Sequence, residues 1–241
     1  MIVIGIMKNV KIAFLKTVAA LGGGVALHST GAEPLTSSTS LLAGLGQPEV
    51  SANAPAAPAS ATPSGWPEDI GANFSKGSNE AGISLGASEG AHIFGGTKTH
   101  DFALAKVLVG HVISSEVASD RWYRGEWELL GEVFGGGQFE PGSAYVVGVT
   151  PGVRYNFATG SRWVPFFDAG AGVSATDIGR PDLGGKFQFN LQTGPGVRWF
   201  VEKNVAVTLQ YRYLHLSSAG SELPNAGVNT SVFYVGVTWF F

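Results

Sequence analysis

The residues best suited to chemistry lie near the end of the chain, where His215 and Ser217 are followed, after a polar segment, by Asn229. Residues two apart on an extended strand point to the same face, so His215 and Ser217 share a face with Tyr211 and Tyr213. A histidine, a serine and a polar partner across a hairpin are the parts of a nucleophilic hydrolase. The stretch therefore predicts a strand, a polar loop and a second strand that hold a Ser-His site.

The strands around this site alternate between apolar and polar residues. Every second residue from Phe233 to Phe241 is apolar, and the preceding strand repeats the pattern from Val205 to Tyr213. Similar alternation recurs upstream, and a first strand is predicted over residues 76–94. An apolar face opposite a polar face, with aromatic residues at the strand ends, is the signature of an outer-membrane barrel.

We therefore predict an all-β fold, an eight-stranded antiparallel transmembrane β-barrel, with a soluble sandwich as the alternative. Side chains just fill the interior of a barrel of this size, so its charged residues are expected to pair in a narrow lumen. The charged residues expected to form this network are Arg124, Glu126, Glu128, Arg154, Asp168, Arg198 and Arg212.

The predicted connections alternate in length, as expected for periplasmic turns and extracellular loops. Short connections are expected near 116–119, 158–161 and 202–204, and longer ones near 135–142, 174–184 and 218–227. This arrangement puts the segment after Ser217 outside the cell and His215 and Ser217 at the outer rim. The strand registers point His215, Ser217 and Asn229 outward, toward lipid.

The N-terminal part of the chain is expected to lie outside the barrel. Residues 1–32 combine a basic start with an apolar run too short to span a membrane, which predicts a signal peptide, with a short membrane anchor as the alternative. Residues 33–72 are rich in Ala, Pro and Ser and predict a disordered spacer. The barrel is then assigned to residues 73–241, in the outer membrane of a Gram-negative cell.

Composition excludes several other classes of protein. The chain has no cysteine, so an exported form has no disulfide framework. Its net charge is -3 without a long basic run, which argues against a nucleic-acid partner. Three histidines, His92, His100 and His111, lack a trusted metal-binding spacing and are expected at solvent-facing or rim positions. In a predicted outer loop, Asp177, Arg180 and Asp182 are expected to be solvated, with binding of a cation or a phosphate as the alternative.

Two segments of the predicted hairpin resemble a known family. His215-Leu-Ser-Ser-Ala-Gly220 and Pro224-Asn-Ala-Gly-Val-Asn229 are similar to the hallmark of lipid A 3-O-deacylases, the PagL-like outer-membrane enzymes. That hallmark is His-x-Ser-Asn-Ala-Gly followed by Pro-Asn-x-Gly and an acidic residue. The resemblance is strong from Leu209 to the C-terminus. It implies a serine esterase that removes an ester-linked 3-hydroxyacyl chain from lipid A without cofactor or metal.

The resemblance also implies roles for individual residues. Ser217 would be the nucleophile and His215 the general base and then the general acid. Asn229 stands where the family has the acidic residue that orients the histidine, which leaves open a site of reduced activity, and Glu222 is a candidate substitute. Ser218 replaces the hallmark asparagine, so only its backbone N–H keeps a potential role. The residues expected to bind the oxyanion or position the substrate are Ser218, Ala219, Gly220 and Asn225.

The same resemblance implies lipopolysaccharide and outer-membrane lipids as partners. The aromatic C-terminus at Phe241 resembles the signal that the barrel assembly machinery recognises in bacterial outer-membrane barrels. Two other functions stay open: a non-catalytic structural or adhesion barrel that has lost activity, and a small-solute channel. The first predicts that Ser217→Ala leaves the lipid profile unchanged, and the second predicts a continuous wet lumen.

Overall fold

The computed structural model describes residues 64–91 and 98–241, and these form a closed barrel of eight antiparallel strands in sequence order. The predicted fold class is therefore confirmed. The predicted signal peptide, residues 33–63 of the predicted spacer and His92 lie outside the described residues. The strands are β1 (Asn79–Gly90), β2 (Asp101–Val112), β3 (Gly125–Glu140), β4 (Ala144–Phe157), β5 (Trp163–Thr176), β6 (Phe187–Phe200), β7 (Val205–Ser217) and β8 (Val228–Phe240).

The two faces of the strands carry opposite kinds of side chain. Outward positions are apolar and exposed, as Leu85, Val133 and Val235 illustrate, whereas inward positions are buried and mostly polar. This is the reverse of a water-soluble sheet and fits a barrel surrounded by lipid. A 3₁₀ turn, Gly71–Phe74, precedes β1. Across the two described segments, no helix is long and apolar enough to cross a membrane.

Ion pairs fill the middle of the barrel. Asp168 Oδ2 accepts hydrogen bonds from Arg154 and Arg212, each at 3.0 Å. Arg212 also contacts Glu132 at 3.1 Å, and Glu132 pairs with Lys106 at 3.1 Å. All five side chains are almost completely buried, so the network occupies the space that an open channel would need.

A second centre of the network lies around Glu80. One carboxylate oxygen of Glu80 accepts from Arg154 at 2.8 Å, and the other accepts from Arg198. The amide of Asn156 donates to Glu126 at 2.8 Å and to Glu128 at 3.0 Å. The sequence therefore identified most of the interior charges correctly.

Arg124 is the exception among the predicted interior charges. Its Nε donates to the carbonyl oxygen of Ala158 at 3.2 Å, at the end of the barrel where β3 begins and β4 ends. The prediction for Arg124 was wrong because this residue precedes the first position of β3, so strand alternation does not determine its direction.

The segment before β1 covers one end of the barrel. Trp66, Ile70 and Phe74 are buried against Phe200 and Phe240. The rings of Trp66 and Phe74 stack with their centroids 3.9 Å apart. Residues 64–72, which the sequence assigned to the spacer, therefore pack against the barrel through their apolar side chains.

The connections follow the prediction only in part. The long segments 177–186 and 218–227 are present, but the predicted loop at 135–142 is wrong. Strand β3 continues through the glycines to Glu140, because the backbone there passes close to β2: a Cβ at Gly136 would lie 2.0 Å from the oxygen of Ala103. The predicted short turn at 116–119 is part of a longer connection, 113–124.

Replacing Asp168 by alanine tests the interior network. The change leaves Arg154 and Arg212 without their shared carboxylate, and breaking a buried pair from one side costs about 3–5 kcal/mol. We expect a loss of that size in the free energy of unfolding, measured by urea titration of the detergent-folded barrel. The matched control is Asp120→Ala, since Asp120 pairs with Arg121 at 3.3 Å on the surface; it should cost less than about 1 kcal/mol. Equal losses in the two variants would contradict a supporting role of the interior pairs.

Candidate active site

His215 and Asn229 form the best-defined contact of the predicted site. They are directly opposite each other in the pairing of β7 with β8. The distance from His215 Nδ1 to Asn229 Oδ1 is 2.6 Å, a hydrogen bond. The strand register alone therefore brings the predicted base and its orienting residue together.

All three central residues follow the outward register of their strands. On β7, Leu214 and Leu216 point inward and are buried, whereas His215 and Ser217 are half-buried on the outer face. Asn229 continues the outward set of β8 but is only 3% exposed.

Tyr213 is a member of this cluster whose contact the sequence did not predict. Its hydroxyl donates to Asn229 Oδ1 at 2.6 Å, the same oxygen that faces His215. With two donors converging on it, Oδ1 is the acceptor, so the proton of the neutral imidazole is on Nδ1 and the lone pair is on Nε2. A tyrosine two positions before the histidine on the same strand face was the available sequence signal.

Gly227 packs directly against the histidine ring. Its φ is +84°, which favours glycine, and a Cβ there would lie 3.1 Å from His215 Cε1. Two physical reasons therefore favour glycine at this position of the Pro-Asn-x-Gly segment: the backbone conformation, and the space that the imidazole occupies.

Ser217 lies one outward position beyond His215, at the end of β7, opposite Phe189 of β6. Outward neighbours on one strand are separated by about 6.5–7 Å between Cα atoms. Among the hydrogen bonds of the described residues, none joins Ser217 to His215. The structure thus brings His215 and Asn229 together and places Ser217 beside them without a direct bond.

The residues expected to position the substrate divide into two pairs. Ser218 and Asn225 build the loop itself, because the Ser218 N–H donates to Asn225 Oδ1 at 2.8 Å. Ala219 and Gly220 have φ values of 51° and 83° and are exposed. Within the described residues, neither of their N–H groups donates a hydrogen bond. These two amides, rather than that of Ser218, are available to an incoming oxyanion.

Glu222 does not take the place of the missing acidic residue. Its carboxylate lies against the backbone of Gly185, where a Cβ would come within 1.7 Å of it. Among the described side chains, Asn229 is the one that hydrogen-bonds His215 Nδ1. In the part of the chain that the structure describes, no group of three or more His, Asp or Glu side chains is arranged to hold a metal ion.

An apolar exterior, a charged interior and closure by eight strands define the class of small outer-membrane β-barrels. Several solved structures are similar to the chain in fold. The chain is similar to Neisserial surface protein A, with 16% identity, 69% of this chain and 100% of that chain covered, and a TM-score of 0.53. It also resembles the outer membrane enzyme PagL, with 19% identity, 65% and 97% covered, and a TM-score of 0.48. A further match is Ail of Yersinia pestis, with 14% identity, 69% and 99% covered, and a TM-score of 0.44.

The family model of lipid A 3-O-deacylase (PagL) matches residues 107–238. This is more than half of the chain, so the protein belongs to the lipid A 3-O-deacylase family. Comparison with curated protein sequences finds no significant match. Family and fold together support a location in the outer membrane.

Proposed function

We propose that the protein is an outer-membrane serine esterase that removes an ester-linked 3-hydroxyacyl chain from lipid A. The observation that carries this proposal is the His215–Asn229 hydrogen bond on the outer surface, one outward position from Ser217, in a member of the deacylase family. Polar side chains on the outward face of a barrel strand are costly at membrane depth, so their presence favours a functional role.

In the first half of the reaction, Ser217 Oγ attacks the carbonyl carbon of the ester. His215 Nε2 accepts the hydroxyl proton, because Asn229 keeps the other ring nitrogen protonated. The N–H groups of Ala219 and Gly220 donate hydrogen bonds to the oxyanion of the tetrahedral intermediate. Collapse of the intermediate breaks the ester C–O bond, and His215 returns its proton to the leaving sugar oxygen.

In the second half, water attacks the acyl-serine while His215 takes a proton from it. The second intermediate releases a 3-hydroxy fatty acid and restores the Ser217 hydroxyl. Both half-reactions use only the residues of the outer surface. The substrate enters sideways from the outer leaflet, so its acyl chains stay in an apolar environment throughout.

Asn229 limits the rate in this proposal. An amide oxygen orients the imidazole but carries no charge to stabilise the imidazolium that forms when Ser217 is deprotonated. The Tyr213 hydroxyl strengthens the polarisation of that oxygen without supplying a charge. The site is therefore built for Ser-His chemistry at a reduced rate compared with a site that has a carboxylate.

Mass spectrometry of lipid A tests the activity and the nucleophile together. In a Gram-negative host whose lipid A retains its 3-O-acyl chain, the wild-type chain should remove one 3-hydroxyacyl group, and Ser217→Ala should remove none. Ser231→Ala is the matched control, since Ser231 is an outward serine on β8 that bonds Tyr211 instead. An unchanged lipid profile with a folded wild-type barrel, shown by heat-modifiable gel mobility, would favour the non-catalytic barrel.

Asn229→Asp tests the limit set by the amide. A carboxylate at this position accepts from both His215 and Tyr213 and adds the charge that stabilises the imidazolium. We expect kcat to rise by on the order of tenfold, which corresponds to about 1.4 kcal/mol of additional transition-state stabilisation. The measurement is the initial rate of hydroxy fatty acid release by purified barrels. A rate equal to or below that of wild type would show that Asn229 is not limiting.

A further inference from the structure

We infer that three buried side chains at the rim, His100, Gln138 and Asp182, form a latch that positions the catalytic histidine. We call these three residues the rim latch. The inference rests on the proposed function, and it assigns His100 and Asp182 as positioning residues for the same site. They come from connections and strand ends that are distant from His215 in the sequence.

His100 is the centre of the rim latch. It lies directly before β2 at the rim, one of the two kinds of position predicted for it, but it is buried there, with only 2% of its surface exposed. Its Nδ1 is 2.7 Å from Gln138 Oε1, and its Nε2 is 2.9 Å from Asp182 Oδ2. The other end of the Gln138 amide donates to Gly142 O at 2.8 Å, which identifies the atom facing His100 as an acceptor. Both ring nitrogens therefore face acceptor oxygens, which fixes the orientation of the ring.

Asp182 connects the rim latch to the catalytic hairpin. Its side chain binds His100, while its backbone oxygen accepts from the N–H groups of Ala226 at 2.9 Å and Gly227 at 3.3 Å. The next residue, Leu183, forms a β-bridge with Asn225. The connection between β5 and β6 is thus bonded along the segment that leads into β8.

The segment held by Asp182 contacts the proposed catalytic groups directly. Gly227 packs against the ring of His215, and Asn225 holds the N–H of Ser218, the residue after the proposed nucleophile. A displacement of Asp182 would therefore move both the support of the imidazole and the turn that presents Ala219 and Gly220. Misplacement of catalytic groups by about 1 Å can lower a rate by about 10²-fold.

Burial explains why this contact is a strong restraint. Asp182 has no exposed surface, and a buried carboxylate needs its partner to offset the loss of hydration. Two other polar residues of the same connection are bound differently: Asp177 accepts from the N–H of Tyr145, and Arg180 donates to Leu223 O. Asp182 is the residue of this connection whose side chain binds the rim and whose backbone binds the hairpin.

Paired substitutions in one connection test the inference. Asp182→Asn removes the charge that binds His100 while keeping the size of the side chain, and Asp177→Asn is the same change at a carboxylate that faces a neutral backbone N–H. His100→Phe is a second, independent disruption of the rim latch. Each full-length chain is purified as a folded barrel in detergent, with the folded fraction measured by heat-modifiable mobility.

Two measurements test separately whether the rim latch restrains the hairpin and whether it affects the activity. Hydrogen–deuterium exchange followed by mass spectrometry reports the amides of Ala226 and Gly227, which should exchange faster in Asp182→Asn and His100→Phe than in Asp177→Asn. Hydroxy fatty acid release per folded barrel should fall by up to about 10²-fold in kcat in the first two variants. KM should change by less than about twofold, because substrate binding does not use the rim latch.

Three results would refute the inference or its basis. Equal exchange in all variants would show that the rim latch does not hold the hairpin. Faster exchange with unchanged kcat would show that the hairpin does not position the catalytic groups. An inactive wild type would refute the proposed function and, with it, the catalytic effect, whereas the exchange data would still decide whether the rim latch restrains residues 226–227.

Discussion

The pairing of β8 with β1 is the constraint on which the rest of the structure depends. A barrel can cross a membrane only when every strand edge is paired, and this final pairing closes the sheet. Its register runs to Gly90 opposite Thr230, and the next N–H, that of Ala91, donates to Asn229 O at 2.9 Å. The pairing with β1 thus fixes where β8 begins. On its other side, the same end of β8 pairs with β7, and this places Asn229 opposite His215.

Closure also separates the chemistry of the two faces. The interior is filled by ion pairs that support the barrel, with Asp168 and Glu80 as the acceptors that join several arginines. In the proposed function, the exterior is the face that carries the reaction on a lipid. A site built on the outside needs no pore and no movement of the strands, so its precision depends on what supports the strand ends and the connections between them.

The strand faces could be predicted from the sequence because their period of two is a local property of the chain. The close contact of His215 with Asn229 also followed from the register of one hairpin. The continuation of β3 through Gly136 could not be predicted, since glycine is typical both of loops and of strands whose backbones approach closely. The burial of His100 could not be predicted either, because Gln138 comes from β3 and Asp182 from the connection between β5 and β6, and only the closed barrel brings them to it.

Labelling of the purified barrel by a serine-reactive fluorophosphonate tests whether His215 activates Ser217 on the outer surface. We expect a single adduct by intact-protein mass spectrometry, located on the peptide that contains Ser217. His215→Phe, which keeps a ring on the strand but removes the base, should abolish the adduct. An adduct on another serine, or equal labelling of Ser217 without His215, would show that His215 does not activate Ser217.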